Sequence, residues 1–526
     1  MASAAASPTA EQTAASRAES SREVLSGERL TAAETVPIAS ANSIHLSSIL
    51  PRYSNYNVRV DKDRSDRALE IRLLSSQRPH MRAFYCATIS FFAAFGMWFS
   101  VSPFLGIIGE ELSLSRSQLW LSTICSDVAT ILSRFVVGPA CDFYGARLPM
   151  AVVLILSSIP TALTGTVRSF AGLCAVRFGT GIAGSAFVMA QYWMGQMFCQ
   201  EIIGTANAIV AGWGNSGGGV IQVLLGTGLY PFLKEASGND EAWRFVFVVP
   251  AVFAIAVAIV IVKSSDDAPL GYYREMKRNG TMDLHHSTMM SGTTSRNAWL
   301  LAVAYACSFG VEITFNNAAS LYFRDEFGAS TSSAAALASI FGLTNLYARA
   351  CGGIVSDLMN QHWGMWGRLS WGCIAIVIQG ASIIAFGYAD TLTSAVPLLI
   401  LLSSCVNATE GAIFGIVPYV NPAVAGSIAG IVGLGGNVGG VCFALAFHSL
   451  SYLQAFKVMG AVAMASSAIF FFVDIPGHAT LTSRSKSLKA INARRETTER
   501  LPMDQDEDRI QESRRSKDDA TIPAAV

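Results

Sequence analysis

Twelve apolar stretches of about 20 residues each, long enough to cross a bilayer as helices, run between residues 83 and 474. They fall at 83–109, 118–141, 148–167, 170–198, 203–232, 243–263, 297–322, 334–357, 367–388, 395–418, 425–448 and 452–474. In lipid no water is present to pair a backbone amide or carbonyl, so each stretch must pair its own groups. The helix does this locally. The expected fold class is therefore an all-α membrane protein with the lipid bilayer as its solvent.

The charge is segregated to match. Only 14% of the residues are charged and the formal net charge is zero. Most Lys, Arg, Asp and Glu lie in 1–82 and 475–526, read as disordered cytoplasmic tails. A neutral chain offers no basic field for nucleic acid. The first thirty residues are rich in Ala and Ser, but Glu11, Glu19, Glu23 and Glu28 contradict the acid-poor pattern of a transit peptide. Residence in the plasma membrane is the expectation. The short loops favour one side for Arg82, Arg147, Lys263, Arg274, Lys277, Arg278 and Arg368, so both termini are expected in the cytoplasm. Ten cysteines lack metal-ligand spacing and are read as packing residues. No cofactor is implied. No HExxH or P-loop spacing points to an enzyme.

The largest interior gap, 264–296, splits the spans into bundles at 83–263 and 297–474, with a cytoplasmic central loop between them. Two internal matches indicate that the halves are repeats. Arg134, Gly138 and Asp142 in the second span recur as Arg349, Gly353 and Asp357 in the eighth, an offset of 215. The segment GWGNSGGGV at 212–220 recurs as LGGNVGGV at 434–441, with Asn215 and Asn437 offset by 222.

An arginine in the middle of a membrane helix costs at least ~2.5–3.5 kcal/mol. One near a helix end can snorkel to the headgroups. Two at repeat-equivalent places are expected beside the central axis, where their mutual repulsion favours an anion. A guanidinium fork offers two coplanar hydrogen bonds to a flat oxyanion, which a lysine does not. Nitrate, nitrite or a carboxylate fits; the fork alone does not choose among them. The glycines remove bulk and allow close helix approach, leaving Asn215 and Asn437 to donate amide hydrogens to the guest. GWGNSG formally matches GxGxxG, but no strand precedes it, so a dinucleotide site is rejected.

GPACDFYGAR at 138–147 resembles the GxxxDxxGxR signature of the major facilitator superfamily, and RFGTG at 177–181 its fourth-helix Arg-x3-Gly motif. AGWGNSGGG (211–219) and GIVGLGGNVGG (430–440) resemble the paired signatures of the nitrate/nitrite porter family within it. QYWMGQMF (191–198), NLYARACGG (345–353) and EGAIFGIVPYV (410–420) are similar to its eukaryotic, high-affinity members. The likeness spans about residues 80–475. It implies the superfamily fold, with twelve transmembrane helices in two pseudo-symmetric six-helix bundles and alternating access. It also implies nitrate, with nitrite, held between Arg134 and Arg349, assisted by Asn215, Asn437, Phe187 and Tyr305. A tyrosine that relatives carry one turn before Tyr305 is Leu301 here. Eukaryotic members resemble proton symporters, and some need a small accessory membrane protein. Asp127, Glu312 and Glu410 are the candidate proton carriers, being intramembrane acids. Asp127, seven residues before Arg134, is also a candidate ion-pair partner for it. Asp142 and Arg147, with Asp357 in the second half, are expected to form the inner gate. Transport of another small anion and a nitrate-sensing receptor with little flux are the competing functions.

Overall fold

The computed structural model describes residues 55–238, 240–279, 290–421 and 425–482. The tail segments 1–54 and 483–526 and the loop stretch 280–289 lie outside the described residues. Among those described, eleven helices are long and apolar enough to cross a membrane. Six make the first bundle: α1 (His80–Glu111), α2 (Arg116–Cys141), α3 (Arg147–Thr166), α4 (Phe170–Met197), α5 (Ile202–Ser237) and α6 (Glu241–Ser264). The second bundle opens with α7 (Arg296–Phe327) and continues into a 57-residue stretch, Thr331–Gly387. Gly364, at φ 63° and ψ −154°, breaks that stretch with a conformation that only glycine adopts readily. It gives α8 (331–363) and α9 (365–387). The series closes with α10 (Leu392–Val420), α11 (Ser427–Ser449) and α12 (Tyr452–Phe471). Dividing the long stretch restores the twelve expected spans.

Large apolar side chains line the outer faces, among them Leu132, Val136, Val152, Ile159, Val252 and Val260. Such a belt is stable only against hydrocarbon. The interior faces are filled by small residues and aromatics. α1 packs along α5 and α7 along α11, repeat-equivalent pairs within each half. The glycines explain the closeness. A Cβ on Gly217 would stand 2.2 Å from the Phe92 carbonyl oxygen of α1, and one on Gly439 2.0 Å from the Ala306 oxygen of α7. Other glycines of the same segments face the opposite half. A Cβ on Gly212 would meet the Asn345 oxygen of α8 at 2.7 Å, and one on Gly433 the Arg134 Nη1 of α2 at 3.3 Å. Each glycine segment thus binds its own bundle on one face and touches the other half's arginine helix on the other.

Residues 55–79, assigned by composition to a tail, are folded in the structure. Strands β1 (Val60–Asp61) and β2 (Arg67–Ala68) form a short antiparallel hairpin in which Val60 pairs with Ala68. Ala68 is fully buried, and its carbonyl accepts from the Cys199 amide at 2.9 Å. Arg78 reaches the buried Asp266 at 3.1 Å. The polar composition of this segment reflects contacts with the loop after α4 and the segment after α6, not a lack of structure.

Candidate functional site

Arg134 on α2 and Arg349 on α8 are at most 1% exposed. Both address one aromatic cluster. The Arg134 guanidinium carbon stands 5.3 Å from the Phe187 ring centroid, and that of Arg349 5.9 Å from Phe414. Phe187 and Phe414 meet edge to face at 5.5 Å. Tyr305 stacks on Phe309 at 5.2 Å and meets Phe414 at 4.9 Å. These rings exclude water from the space around the two cations, which strengthens any electrostatic contact made there.

The local backbone positions each arginine differently. α2 runs without interruption through Arg134. Arg349 follows a break at Asn345–Tyr347, after which the helix restarts at Ala348. α4 changes to 3-10 geometry over Ile182–Ser185. Tighter winding disturbs the regular carbonyl pairing, and Gly184 turns its oxygen to Arg134 Nη2 at 3.1 Å. Arg134 Nη1 donates to the Gly433 carbonyl of α11, across the bundle interface. No acid pairs with Arg134 among the described residues.

Arg349 has a different environment. Its Nη1 donates to Glu410 Oε2 of α10, its Nη2 donates to the Tyr305 hydroxyl at 2.7 Å, and Glu312 Oε2 of α7 lies 3.8 Å from Nη1. Glu312 accepts from Asn345 Nδ2 at 2.9 Å and from Asn215 Nδ2 at 3.2 Å. The carboxyl groups of Glu312 and Glu410 thus converge on the same Arg349 nitrogen, Nη1. Asn437 donates to the Gly433 carbonyl one turn back at 3.2 Å. Arg134, Phe187, Asn215, Tyr305, Glu312, Arg349, Glu410 and Asn437 are all buried at the centre of the bundle interface.

Asp127 is not an ion-pair partner of Arg134. It lies two turns along α2, with Oδ1 3.5 Å from Asn317 Nδ2. Asn317 Oδ1 in turn accepts from Arg177 of α4 at 2.8 Å. The expectation failed because α2 meets different neighbours at the two levels, so residues on one face need not share a partner. Arg147 docks on Asp267, just beyond α6, at 3.5 Å, donates to the Val262 carbonyl at 2.6 Å and covers the Tyr272 ring at 4.2 Å. Burial raises the Asp267 carboxyl above the usual range, and the Arg147 charge lowers it in part. The side chain of Asp142 lies outside the described residues. Asp357 pairs with Arg368 of α9 at 2.6 Å, within the second half.

Sequence reading missed Phe309, Phe414 and Asn345. The signal was present in the spacing: Phe309 is four residues after Tyr305, Phe414 four after Glu410, and Asn345 four before Arg349. Each is one helical turn from a residue already singled out.

Residues 87–444 match the sequence profile of the Major Facilitator Superfamily. The chain is 34% identical over 425 residues to "High-affinity nitrate transporter 2.3" of Oryza sativa subsp. japonica, covering 80% of this chain and 82% of that protein. It is 33% identical over 420 residues to "High affinity nitrate transporter 2.5" of Arabidopsis thaliana, covering 79% and 84%. Among solved structures, a bacterial homologue of the human lysosomal transporter Spinster, in an inward-facing and occupied conformation, superposes with a TM-score of 0.56. Its sequence identity is 16%, and the match covers 76% of this chain and 97% of the other. That likeness concerns the fold.

Proposed function

This chain is a multi-pass membrane protein of the major facilitator superfamily, in the nitrate/nitrite porter family with the eukaryotic high-affinity nitrate transporters, and from that premise we propose that it carries nitrate by alternating access. Nitrite is its second cargo, and Arg134 and Arg349 hold the anion between them. The observation that carries this reading is Arg134: a fully buried guanidinium with no acid partner among the described residues, against the ring of Phe187. A buried charge without a counter-charge is costly, and a flat monovalent anion supplies the counter-charge with matching fork geometry. Phe187 and Tyr305 frame the guest, and Asn215 and Asn437 bring amides to it. Arg147, with Asp142 and Asp357, gates the end that bears the central loop.

Transport is coupled to protons. Glu312 and Glu410 support this, because two adjacent buried carboxyl groups favour sharing a proton over carrying two charges. Asp127, held apart with Asn317 and Arg177, is the third candidate. The site of action is the plasma membrane with both termini inside, and a small accessory membrane protein is a partner to test by co-expression. The decisive experiment is nitrate uptake with and without a proton gradient for wild type, Arg134→Lys and Arg349→Lys. Both variants lose most uptake, because lysine keeps the charge and loses the fork. Full uptake by either variant would refute the two-arginine site.

A further inference from the structure

Arg349 belongs to the anion site, yet a carboxylate already occupies it. A carboxylate and a nitrate are alike to a guanidinium: planar, monovalent and able to accept from the fork. Glu410 is therefore a tethered analogue of the cargo. The packing leaves it little choice of position. A Cβ on Gly411 would stand 2.2 Å from the Arg349 carbonyl oxygen, and one on Gly352 2.1 Å from that of Ala408, so α8 and α10 touch backbone to backbone at this level. A tethered ligand has a high effective concentration, and a free anion competes poorly with it.

The two acids are not equivalent. Glu312 has both oxygens held by amides, from Asn345 on α8 and Asn215 on α5. Glu410 has Arg349 on Oε2, while Oε1 has no hydrogen-bond donor among the described residues. A proton placed on Glu410 gives that oxygen an O–H to donate to its neighbour Glu312. We propose that Glu410 is a proton-operated plug: ionised, it fills the anion's place on Arg349; protonated, it turns to Glu312 and releases Arg349 Nη1 to nitrate. The plug moves within the second half, since both residues belong to it, and needs no rocking of the bundles.

Charge counting gives the stoichiometry at this site. With both acids ionised the two arginines and two glutamates sum to zero, although both acids lie against Arg349 and neither pairs with Arg134. One proton leaves a single positive charge, and one nitrate restores neutrality. Proton and anion therefore favour each other's binding reciprocally. Glu410 meets Arg349 on α8, and the other titratable groups on that guanidinium are Glu312 and Tyr305 of α7. The facing glycine segments, 212–219 of α5 and 430–440 of α11, carry no titratable side chain.

The inference rests on the nitrate reading, and the test separates the two. Purified full-length protein is titrated with nitrate in mildly acidic and mildly alkaline buffer. Wild-type Kd rises about tenfold per pH unit on the alkaline limb, as one linked proton requires. Glu410→Gln, which carries no charge to plug the site, binds nitrate with a Kd that no longer depends on pH. Retention of the wild-type slope in Glu410→Gln overturns the plug. A measurement on wild type makes the test independent of the variant's folding: nitrate added in weak buffer with a pH dye draws about one proton from solution per anion bound. Nitrate binding without proton uptake overturns the plug alone. A wild type that binds no nitrate at any pH overturns the nitrate reading and the plug together.

Discussion

Arg134 and Arg349 stand at the same place in two copies of one helix bundle, yet they are held in opposite ways. Arg134 donates to two backbone carbonyls; Arg349 faces two carboxylates and a tyrosine. Helix geometry differs too, with α2 continuous through its arginine and α8 broken just before it. The symmetric features, paired glycine segments and paired arginines, meet where the two halves pack. The asymmetric ones, acids beside Arg349 and none beside Arg134 among the described residues, leave one arginine without a counter-charge and pair the other. Symmetry places both cations, and its loss gives them unequal partners.

The sharpest way to break that comparison is to remove each cation in turn. Arg349→Ala leaves Glu312 and Glu410 buried together without a counter-charge, and breaking a buried pair in this way costs about 3–5 kcal/mol. Arg134→Ala removes a donor from the Gly184 and Gly433 carbonyls, the latter keeping Asn437, a cost of about 1–3 kcal/mol. Thermal unfolding in detergent is expected to show the larger loss for Arg349→Ala, although both abolish uptake. Equal losses would contradict the unequal environments.

The glycines give a second, smaller contrast. A methyl on Gly212 meets the Asn345 carbonyl at 2.7 Å, a backbone atom that moves only with α8. A methyl on Gly433 meets the Phe187 ring edge at 3.0 Å and Arg134 Nη1 at 3.3 Å, side-chain atoms that yield more readily. Gly212→Ala should therefore cost stability, by about 1–3 kcal/mol. Gly433→Ala should instead spare the fold and raise the KM for nitrate by displacing Arg134. Thermal unfolding and uptake kinetics on the two variants distinguish these outcomes.

The spans, the repeat and the burial of both arginines were legible in the sequence because each depends on local spacing along one helix. The partners of those arginines were not. Glu410 and Arg349 meet because Gly352 and Gly411 bring two helices into backbone contact, which no single-helix pattern encodes. Asp127 and Arg134 share a face of α2, yet the rotation and crossing of α4, α7 and α11 give them different neighbours. The hairpin before α1 was hidden for a similar reason. Ala68 is buried by Phe198 and Cys199, well over a hundred residues away, while its own neighbourhood is polar.

The two ends of the molecule extend the comparison. At the end bearing the central loop, Arg147–Asp267 and Arg78–Asp266 tie segments around the first bundle. Asp267 titrates above the ordinary carboxylate range because it is buried. An acid with a raised folded pKa binds its proton more tightly folded than unfolded, so stability is lost as pH rises through that raised value. Removing Arg147 takes away the charge that offsets this. Arg147→Ala is expected to lower the Tm more in mildly alkaline than in mildly acidic buffer. A pH-independent loss would mean that Arg147 acts through its bond to the Val262 carbonyl and its packing on Tyr272, not through the Asp267 charge.

At the opposite end the contacts run between the halves. Ser320 of α7 donates to the Ser102 carbonyl of α1 at 2.6 Å, Arg116 of α2 covers the Tyr452 ring of α12 at 3.8 Å, and Arg324 of α7 pairs with Glu110 of α1. These contacts hold that end closed, and Arg324–Glu110 looks the most prominent. It should matter least, because the Glu110 side chain is 71% exposed and a rim ion pair is worth about 0–1 kcal/mol. Arg324→Ala is therefore expected to change nitrate uptake by less than about fivefold, with the difference from wild type shrinking as salt is raised. The other two contacts are less sensitive to screening and keep the end closed without it. A loss of uptake in Arg324→Ala as deep as that of Arg134→Lys, and indifferent to salt, would place Arg324 on the anion's path rather than at the latch.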